Sequence, residues 1–473
     1  MTKIDWIIEV EKRKEALLKD AQGLLHIKSL LDEENATQDA PLGKGVKEAL
    51  DYMLTLGEKD GFIPKNVGNL AGHLEFGEGR DLLGILCHVD VVPEGDGWTS
   101  NPYAAEVRDG RIYARGAIDD KGPTIAAYYA MKIVKELGLP LKKRVRMIIG
   151  TDEESNWRCV EHYFQHEEMP SLGFAPDADF PIINAEKGIS DFDMVQIGTD
   201  QVNTDANVEV QTFLSGKRYN MVPDYAKAVI QIKENQAEIT EMFTNFMNQY
   251  KLDHQYSEEN QELTLEVKGI SAHGMEPRNG KNAGLFLSEF LSKLNLDRKA
   301  ARYFQFVSRY FFDDSRGVHL GVAFSDDISG ELTINPGKFS YTKESGGTIG
   351  MTCRYPVTNK MEATKEKLDA LLKNEGFTIE NFSDSKPHYV DEKDFLIQTL
   401  KKVYEEQTGE QADLLAIGGG TYARSLKAGV AFGPLFPGRP DVAHQKDEYI
   451  DLEDLFKATA IYAQAIYELA KEE

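Results

Sequence analysis

The sequence predicts an α/β fold, a central mixed sheet between helices, split by a large α+β insert. Three observations predict it. Short apolar runs at residues 82–86, 145–150 and 172–175 alternate with helix-patterned segments, the texture of a sheet covered on both faces. Each run is followed by polar residues: Cys87, His88 and Asp90; Asp152, Glu153 and Glu154; Asp177 and Asp179. After Gly188 the pattern changes to strand-like alternation, and the α/β texture returns near Asp391. A chain of 473 residues exceeds one ordinary core, so the reading is a discontinuous domain, 1–187 plus 387–473, around an insert at 188–386.

The elements follow in order. Residues 5–31 pattern as one long amphipathic helix, with Trp6, Ile7, Val10, Leu17, Leu18, Leu24 and Leu25 on one face. A second helix is predicted over 44–56 and a strand within 66–77. Residues 103–115 read as a hairpin turning at Asp109-Gly110, a pair that tight hairpin turns favour. Helices follow at 122–138 and, behind Ser155, at 156–166. In the insert, alternation runs over 191–232, helices are predicted at 237–250, 282–296, 298–312 and 359–374, and strands at 320–324, 331–334, 348–354 and 378–382. A helix to Thr408, an apolar run at 414–417, three glycines at 418–420 and a helix over 452–469 complete the chain.

Composition excludes several functions. A net charge of -24 and a pI near 4.9 oppose binding to nucleic acid, whose phosphates need a basic footprint, and to an anionic membrane surface. No run is long and apolar enough to span a membrane, and the first 25 residues lack the apolar core of a secretory signal. Three widely spaced cysteines, Cys87, Cys159 and Cys353, make no disulfide framework and predict a cytoplasmic location.

His88, Asp119, Glu154, Asp177 and His444 supply two imidazoles and three carboxylates. Nitrogen and oxygen donors without thiolate suit zinc, cobalt or manganese, and a carboxylate bridging two ions suits a two-metal hydrolytic site. Of the adjacent acids Glu153 and Glu154, one is free to move a proton while the other ligates. Each residue also has an ordinary structural explanation. Asp119-Asp120 reads equally as a helix cap, Glu153-Glu154 as helix-start acids, and Asp177 as a turn cap. Their succession at strand ends favours the metal reading.

The runs HVDVVPEGDGW (88–98), RGAIDDKGP (115–123), GTDEESNW (150–157), PDADFPIINAEKG (176–188) and IGGGTYAR (417–424) resemble the di-zinc metallopeptidase family of aminoacylase, carnosinase and the bacterial dipeptidases. The resemblance covers the chain from its first helix to Ile466. It implies a zinc-peptidase catalytic domain holding two Zn2+, with Mn2+ or Co2+ as substitutes. His88 and Asp177 would hold one ion, Glu154 and His444 the other, and Asp119 would bridge them across a cis Asp119-Asp120 peptide. Glu153 would be the general base and Asp90 would orient His88. The segment leading into His444 matches the family least well; the His444-x-x-x-Glu448 spacing supports the choice of His444.

By the same resemblance the insert is a lid domain. His273 would polarise the scissile carbonyl, and Asn220, Arg354, Gly419, Gly420 and Thr421 would bind the substrate carboxylate. The implied activity is a metal-dependent dipeptidase of broad specificity. An N-acyl-amino-acid amidohydrolase on the same site is the second enzyme reading, and a non-catalytic binding module is a third. A lid large enough to supply its own histidine and asparagine implies a monomer.

Overall fold

The structure is a computed structural model and describes residues 4–198, 206–259 and 262–471. The chain divides into two compact units: 1–185 with 389–415 and 421–473, and 186–388 with 416–420. The glycine stretch at 418–420 thus groups with the insert rather than with the segment that follows it in sequence.

The first unit is built on a mixed sheet. Its strand order runs Ile63–Val67, Ala71–Phe76, Arg144–Gly150, Leu82–His88, Leu172–Ala175, Gly429–Ala431, Ile182–Glu186. Three of these strands lie parallel in register: His88 pairs opposite Gly150, and Ile85 opposite Phe174. Their carboxyl ends therefore share one sheet edge, where sites form in open α/β sheets. The Leu82–His88 strand is buried at all seven positions, which is why it reads as an unbroken apolar run. Helices Lys121–Glu136 and Leu452–Ala470 pack on the sheet and on each other, contributing Ile125, Tyr129, Ile133, Ala458, Ile461 and Ile466 to the core.

The second unit is built on an eight-stranded antiparallel sheet, in the order Asp253–Glu259, Glu262–Lys268, Tyr225–Ile232, Val208–Ser215, Thr333–Thr342, Gly346–Tyr355, Gly188–Gln196, Phe377–Glu380. Helices Gln236–Gln249, Ala283–Leu291, Arg298–Phe311 and Met361–Glu375 accompany it. Phe213, Phe243, Phe290, Phe304 and Leu368 lie in its separate core.

Several sequence expectations change. The predicted helix over 5–31 is two helices, Trp6–Glu11 and Lys14–Leu25, broken at Lys12 and Arg13. Its last residues leave the helix because tertiary partners take their carbonyls: Ile27 O accepts from Lys121 Nζ, and Ser29 O from the Val91 N–H. The strand expected within 66–77 is a hairpin, Ile63–Val67 with Ala71–Phe76, turned where Gly68 and Asn69 both take positive φ. Residues 320–324 form turns rather than a strand, with Gly317 and Gly321 in the left-handed region. Within the alternation expected at 191–232, residues 199–205 lie outside the described residues.

Candidate metal centre

The centre of the site is Asp119, whose two carboxylate oxygens face two different histidines. Its Oδ1 lies 3.1 Å from His88 Nε2 and its Oδ2 lies 2.9 Å from His444 Nε2. On the His88 side, Asp177 Oδ1 stands 3.6 Å from the same nitrogen; on the His444 side, Glu154 Oε1 stands at 3.1 Å. Two groups, His88–Asp120–Asp177 and Asp119–Glu154–His444, each place one donor atom per residue within 4.8 Å of the others.

These spacings fit divalent cations. With metal–ligand bonds of about 2.0–2.1 Å, neighbouring donors in a tetrahedron sit about 3.3–3.4 Å apart. Contacts of 2.9–3.6 Å bracket that edge. A carboxylate with one oxygen toward each nitrogen has the geometry of a bridge.

Local structure explains the placement. His88 ends its buried strand, and its Nδ1 contacts the Asp90 carbonyl at 3.1 Å and Asp90 Oδ1 at 3.4 Å, leaving Nε2 toward the carboxylates. The same Asp90 carboxylate accepts the backbone N–H groups of Glu153 at 3.2 Å and Glu154 at 3.1 Å. Asp119 and Asp120 are joined by a cis peptide. Asp120 stands at the N-cap of the Lys121–Glu136 helix without capping it. Its Oδ2 accepts instead from the His88 N–H and Thr124 Oγ1, and its Oδ1 is buried without a hydrogen-bond partner. Helix capping is therefore no explanation of this acid. Helix Arg158–His166 likewise starts later than Ser155 predicts, with Asp152 Oδ2 accepting the Arg158 N–H.

Glu448 holds Asp119 from behind. Its Oε1 accepts the N–H groups of Ile118 at 3.0 Å and Asp119 at 3.3 Å, while Oε2 pairs with the Arg115 guanidinium. Tyr422 sets its ring edge-on to His88, with centroids 5.9 Å apart. His444 adopts φ 61, the left-handed region a non-glycine residue occupies at a cost. Sequence reasoning missed Asp120 and Tyr422 as parts of the site; the Asp119-Asp120 doublet was the available signal for the first.

The electrostatics describe a site that demands positive charge. Burial opposes protonation of His88, yet Asp177, Asp119 and Asp90 hold its pKa well above the ordinary value. Hydrogen bonds to Asp119 and Glu154 push His444 up to about 11. Burial and the Asp119 charge push Glu154 up to about 7. Burial raises Glu153 strongly; Asp177, Glu154 and Asp119 add to this, and His88 opposes it. Asp120 is raised by burial and by Asp177. Protons shared among these groups occupy the role that cations fill. A cavity of about 130 Å³ opens beside Asp119 and Asp177, with Asp179 and Asp441 also in its wall.

Residues 84–468 match the model of the family described as "Peptidase family M20/M25/M40". The chain belongs to that family. M20 peptidases are metal-dependent enzymes, and the two donor groups are where such a metal fits. The M20 relative YtjP of Bacillus subtilis (strain 168), provisionally named a dipeptidase, is 55% identical over 471 residues, covering 99% of this chain and 100% of its own. Aminoacylhistidine dipeptidase from Vibrio alginolyticus shares the fold at a TM-score of 0.59 and 14% identity, over 97% of each chain. Human carnosine dipeptidase 1 does so at 0.55 and 14%, over 99% of this chain and 98% of its own.

The remaining M20 site residues expected from sequence lie mostly in the second unit. Asn220 and His273 are brought together there: the Gly274 N–H donates to Asn220 O at 2.7 Å, and Met221 pairs with His273 across a β-bridge. The Met275 N–H donates to His273 Nδ1 at 3.1 Å, so the neutral ring carries its proton on Nε2. Desolvation and the Arg354 charge lower the His273 pKa, which keeps that neutral form. Arg354 is buried on the Gly346–Tyr355 strand. Gly418, one residue before Gly419 and Gly420, packs against Met275: a Cβ there would meet the Met275 side chain at 3.1 Å. Thr421 is buried and belongs to the first unit. The cysteines Cys87, Cys159 and Cys353 are all buried free thiols. Among the described residues no helix is long and apolar enough to cross a membrane.

Proposed function

We propose that this chain is a metal-dependent dipeptidase of broad specificity that holds two Zn2+ ions, with Mn2+ or Co2+ able to substitute. The observation that carries the reading is the Asp119 carboxylate, one oxygen on His88 and the other on His444, beside the half-buried acid Glu153. Full-length similarity to a relative provisionally named a dipeptidase supports the substrate class. Within the family we read the chain as resembling dipeptidase V of lactic acid bacteria. We assign His88 and Asp177 to one ion, Glu154 and His444 to the other, and Asp119 to both. Divalent ions in such a site polarise a substrate carbonyl and lower the pKa of water.

The chain's own groups then divide the work. Glu153 accepts a proton from the attacking water and returns it to the leaving amine. Asp90 fixes the ring of His88 and the backbone of Glu153. His273 donates a hydrogen bond from its Nε2–H to the carbonyl oxygen as negative charge develops there, a role supported by the hydrogen bond that leaves Nδ1 an acceptor. Arg354, Asn220, Gly419, Gly420 and Thr421 bind the carboxylate of the substrate. That contact makes a ruler, because a longer peptide has no carboxylate at the required distance. In this reading domain 188–386 is the lid of a catalytic domain formed by 1–187 and 387–473, and it supplies both Asn220 and His273 to its own chain. The protein is accordingly a monomer, to be checked by light scattering, and we assign it to the cytoplasm.

The test uses metal-stripped protein with zinc or manganese restored, and three substrates: a dipeptide, its N-acetyl form and the matching tripeptide. Metal-restored cleavage of the free dipeptide alone is expected. Cleavage of the acetylated compound in its place would replace this reading with an N-acyl-amino-acid amidohydrolase.

A further inference from the structure

Two buried residues of one strand hold the backbone beside Asn220 and His273, and neither stands out in the sequence. Thr333 and Asn335 lie two apart on the Thr333–Thr342 strand and so point to the same face. Both are enclosed, 2% and 0% exposed.

Asn335 Nδ2 donates to Tyr219 O and to Met221 O, each at 2.9 Å. Those carbonyls flank Asn220, so one amide grips the chain on both sides of it. Two carbonyl partners require the NH2 group at that position, which fixes the orientation of the amide. Its Oδ1 is left buried without a partner. An aspartate has no N–H to offer here, and an alanine would leave both carbonyls unanswered.

Thr333 reaches the other residue. Its Oγ1 donates to Met275 O at 3.0 Å, and the Met275 N–H donates to His273 Nδ1. The hydroxyl thus steadies, through its carbonyl, the same residue whose N–H decides which ring nitrogen of His273 carries the proton. The two supports are joined. The Val222 N–H donates to Ala272 O at 2.9 Å and the Gly274 N–H to Asn220 O at 2.7 Å. A Cβ on Gly274 would approach Asn335 Nδ2 to 3.0 Å, so the His273 segment lies directly on the amide.

We infer that Thr333 and Asn335 are positioning residues, Thr333 for the orientation and tautomer of His273 and Asn335 for the placement of Asn220. This rests on the reading that His273 and Asn220 serve the substrate. Because those two residues have different tasks, their supports affect different kinetic constants.

The experiment compares dipeptide hydrolysis by the metal-loaded full chain and its variants. Thr333→Val keeps the shape and removes the donor; kcat is expected to fall about tenfold with KM held within about twofold. Thr333→Ser restores the hydroxyl and is expected to restore kcat. Asn335→Ala is expected to raise KM about tenfold with a smaller loss of kcat. Selective ¹⁵N labelling of histidine reports the protonated nitrogen of His273, and that pattern is expected to change in Thr333→Val and not in Thr333→Ser. If Asn335→Ala does not fold, the two Thr333 variants decide the question. Equal loss in Thr333→Val and Thr333→Ser, or wild-type kinetics in Thr333→Val and Asn335→Ala, overturns the inference. His273→Ala and Asn220→Ala run alongside. If these are themselves unimpaired, the substrate reading fails and the positioning roles fall with it. If they are crippled while the supports behave as wild type, the positioning inference alone is wrong.

Discussion

Arg115 and Glu448 form an ion pair sealed from solvent, with side chains 1% and 0% exposed, directly behind Asp119. The remaining Glu448 oxygen carries the Ile118 and Asp119 N–H groups, and the Arg115 Nη2 reaches the carbonyls of Pro93 and Glu94. One buried pair thereby links the loop after the His88 strand, the Asp119 loop and the segment that carries His444.

Arg115→Met leaves the Glu448 carboxylate enclosed and without its cation. A loss of about 3–5 kcal/mol of stability is expected, the usual result of stranding one partner of a buried pair. Chemical denaturation measures it. Arg115→Met with Glu448→Gln removes both charges and is expected to recover most of the loss.

Asp119→Asn keeps the side chain's size but gives up its charge and turns one oxygen into a donor. Both ions are expected to be lost together, as read by elemental analysis after dialysis. Retention of one full equivalent would contradict the bridging role.

Glu153→Gln preserves hydrogen-bonding shape and cannot take a proton. Metal content is expected to match wild type while kcat falls by about 10²–10⁴-fold. Substantial residual turnover would exclude Glu153 as the proton carrier.

The metal-free protein is expected to lose stability as pH rises from 4.5 to 7. Glu154 and Glu448 are pushed up to about 7, the first by burial and Asp119, the second by burial and Asp119 against Arg115. Burial raises Glu153, Asp120 and Asp177 as well. A group whose folded pKa is raised binds more protons in the folded state; its contribution is complete below the unfolded value and is lost as pH climbs through the folded one. His73, which burial pushes down to about 3, acts in the opposite sense over the same range. It lies outside the donor groups, so subtracting the metal-loaded curve removes its effect. Melting temperatures with chelator and with zinc, across this pH range, are expected to diverge as pH rises. Parallel curves would mean the cations do not replace these protons.

The sequence carried much of the first unit and little of the second unit's supporting structure. Buried parallel strands leave unbroken apolar runs, so the Leu82–His88 strand, enclosed throughout, and the Leu172–Ala175 strand, enclosed from Gly173 on, were visible, along with the polar residues that end them. The Asp109-Gly110 turn was legible because both residues take positive φ, 50 and 74, which few residue pairs tolerate. The break at Lys12 and Arg13 was invisible: Val10 and Leu17 are seven apart, so the apolar face continues across it. Asp120 has no role of its own in the sequence reading, because the residues around it look the same whether its oxygen caps a helix or meets the His88 N–H. Thr333 and Asn335 could not be found this way at all. Their partners are backbone atoms of Met275, Tyr219 and Met221, which leave no trace in residue type.

Asp90 ties two jobs to one side chain. It touches the ring of His88 and carries the peptides of Glu153 and Glu154. The imidazole we assign to the metal and the acid we assign to proton transfer are therefore fastened to a common anchor. Retuning the acid independently of the ligand sphere is closed off by that arrangement, so a redesign of this site must begin by giving each a separate footing.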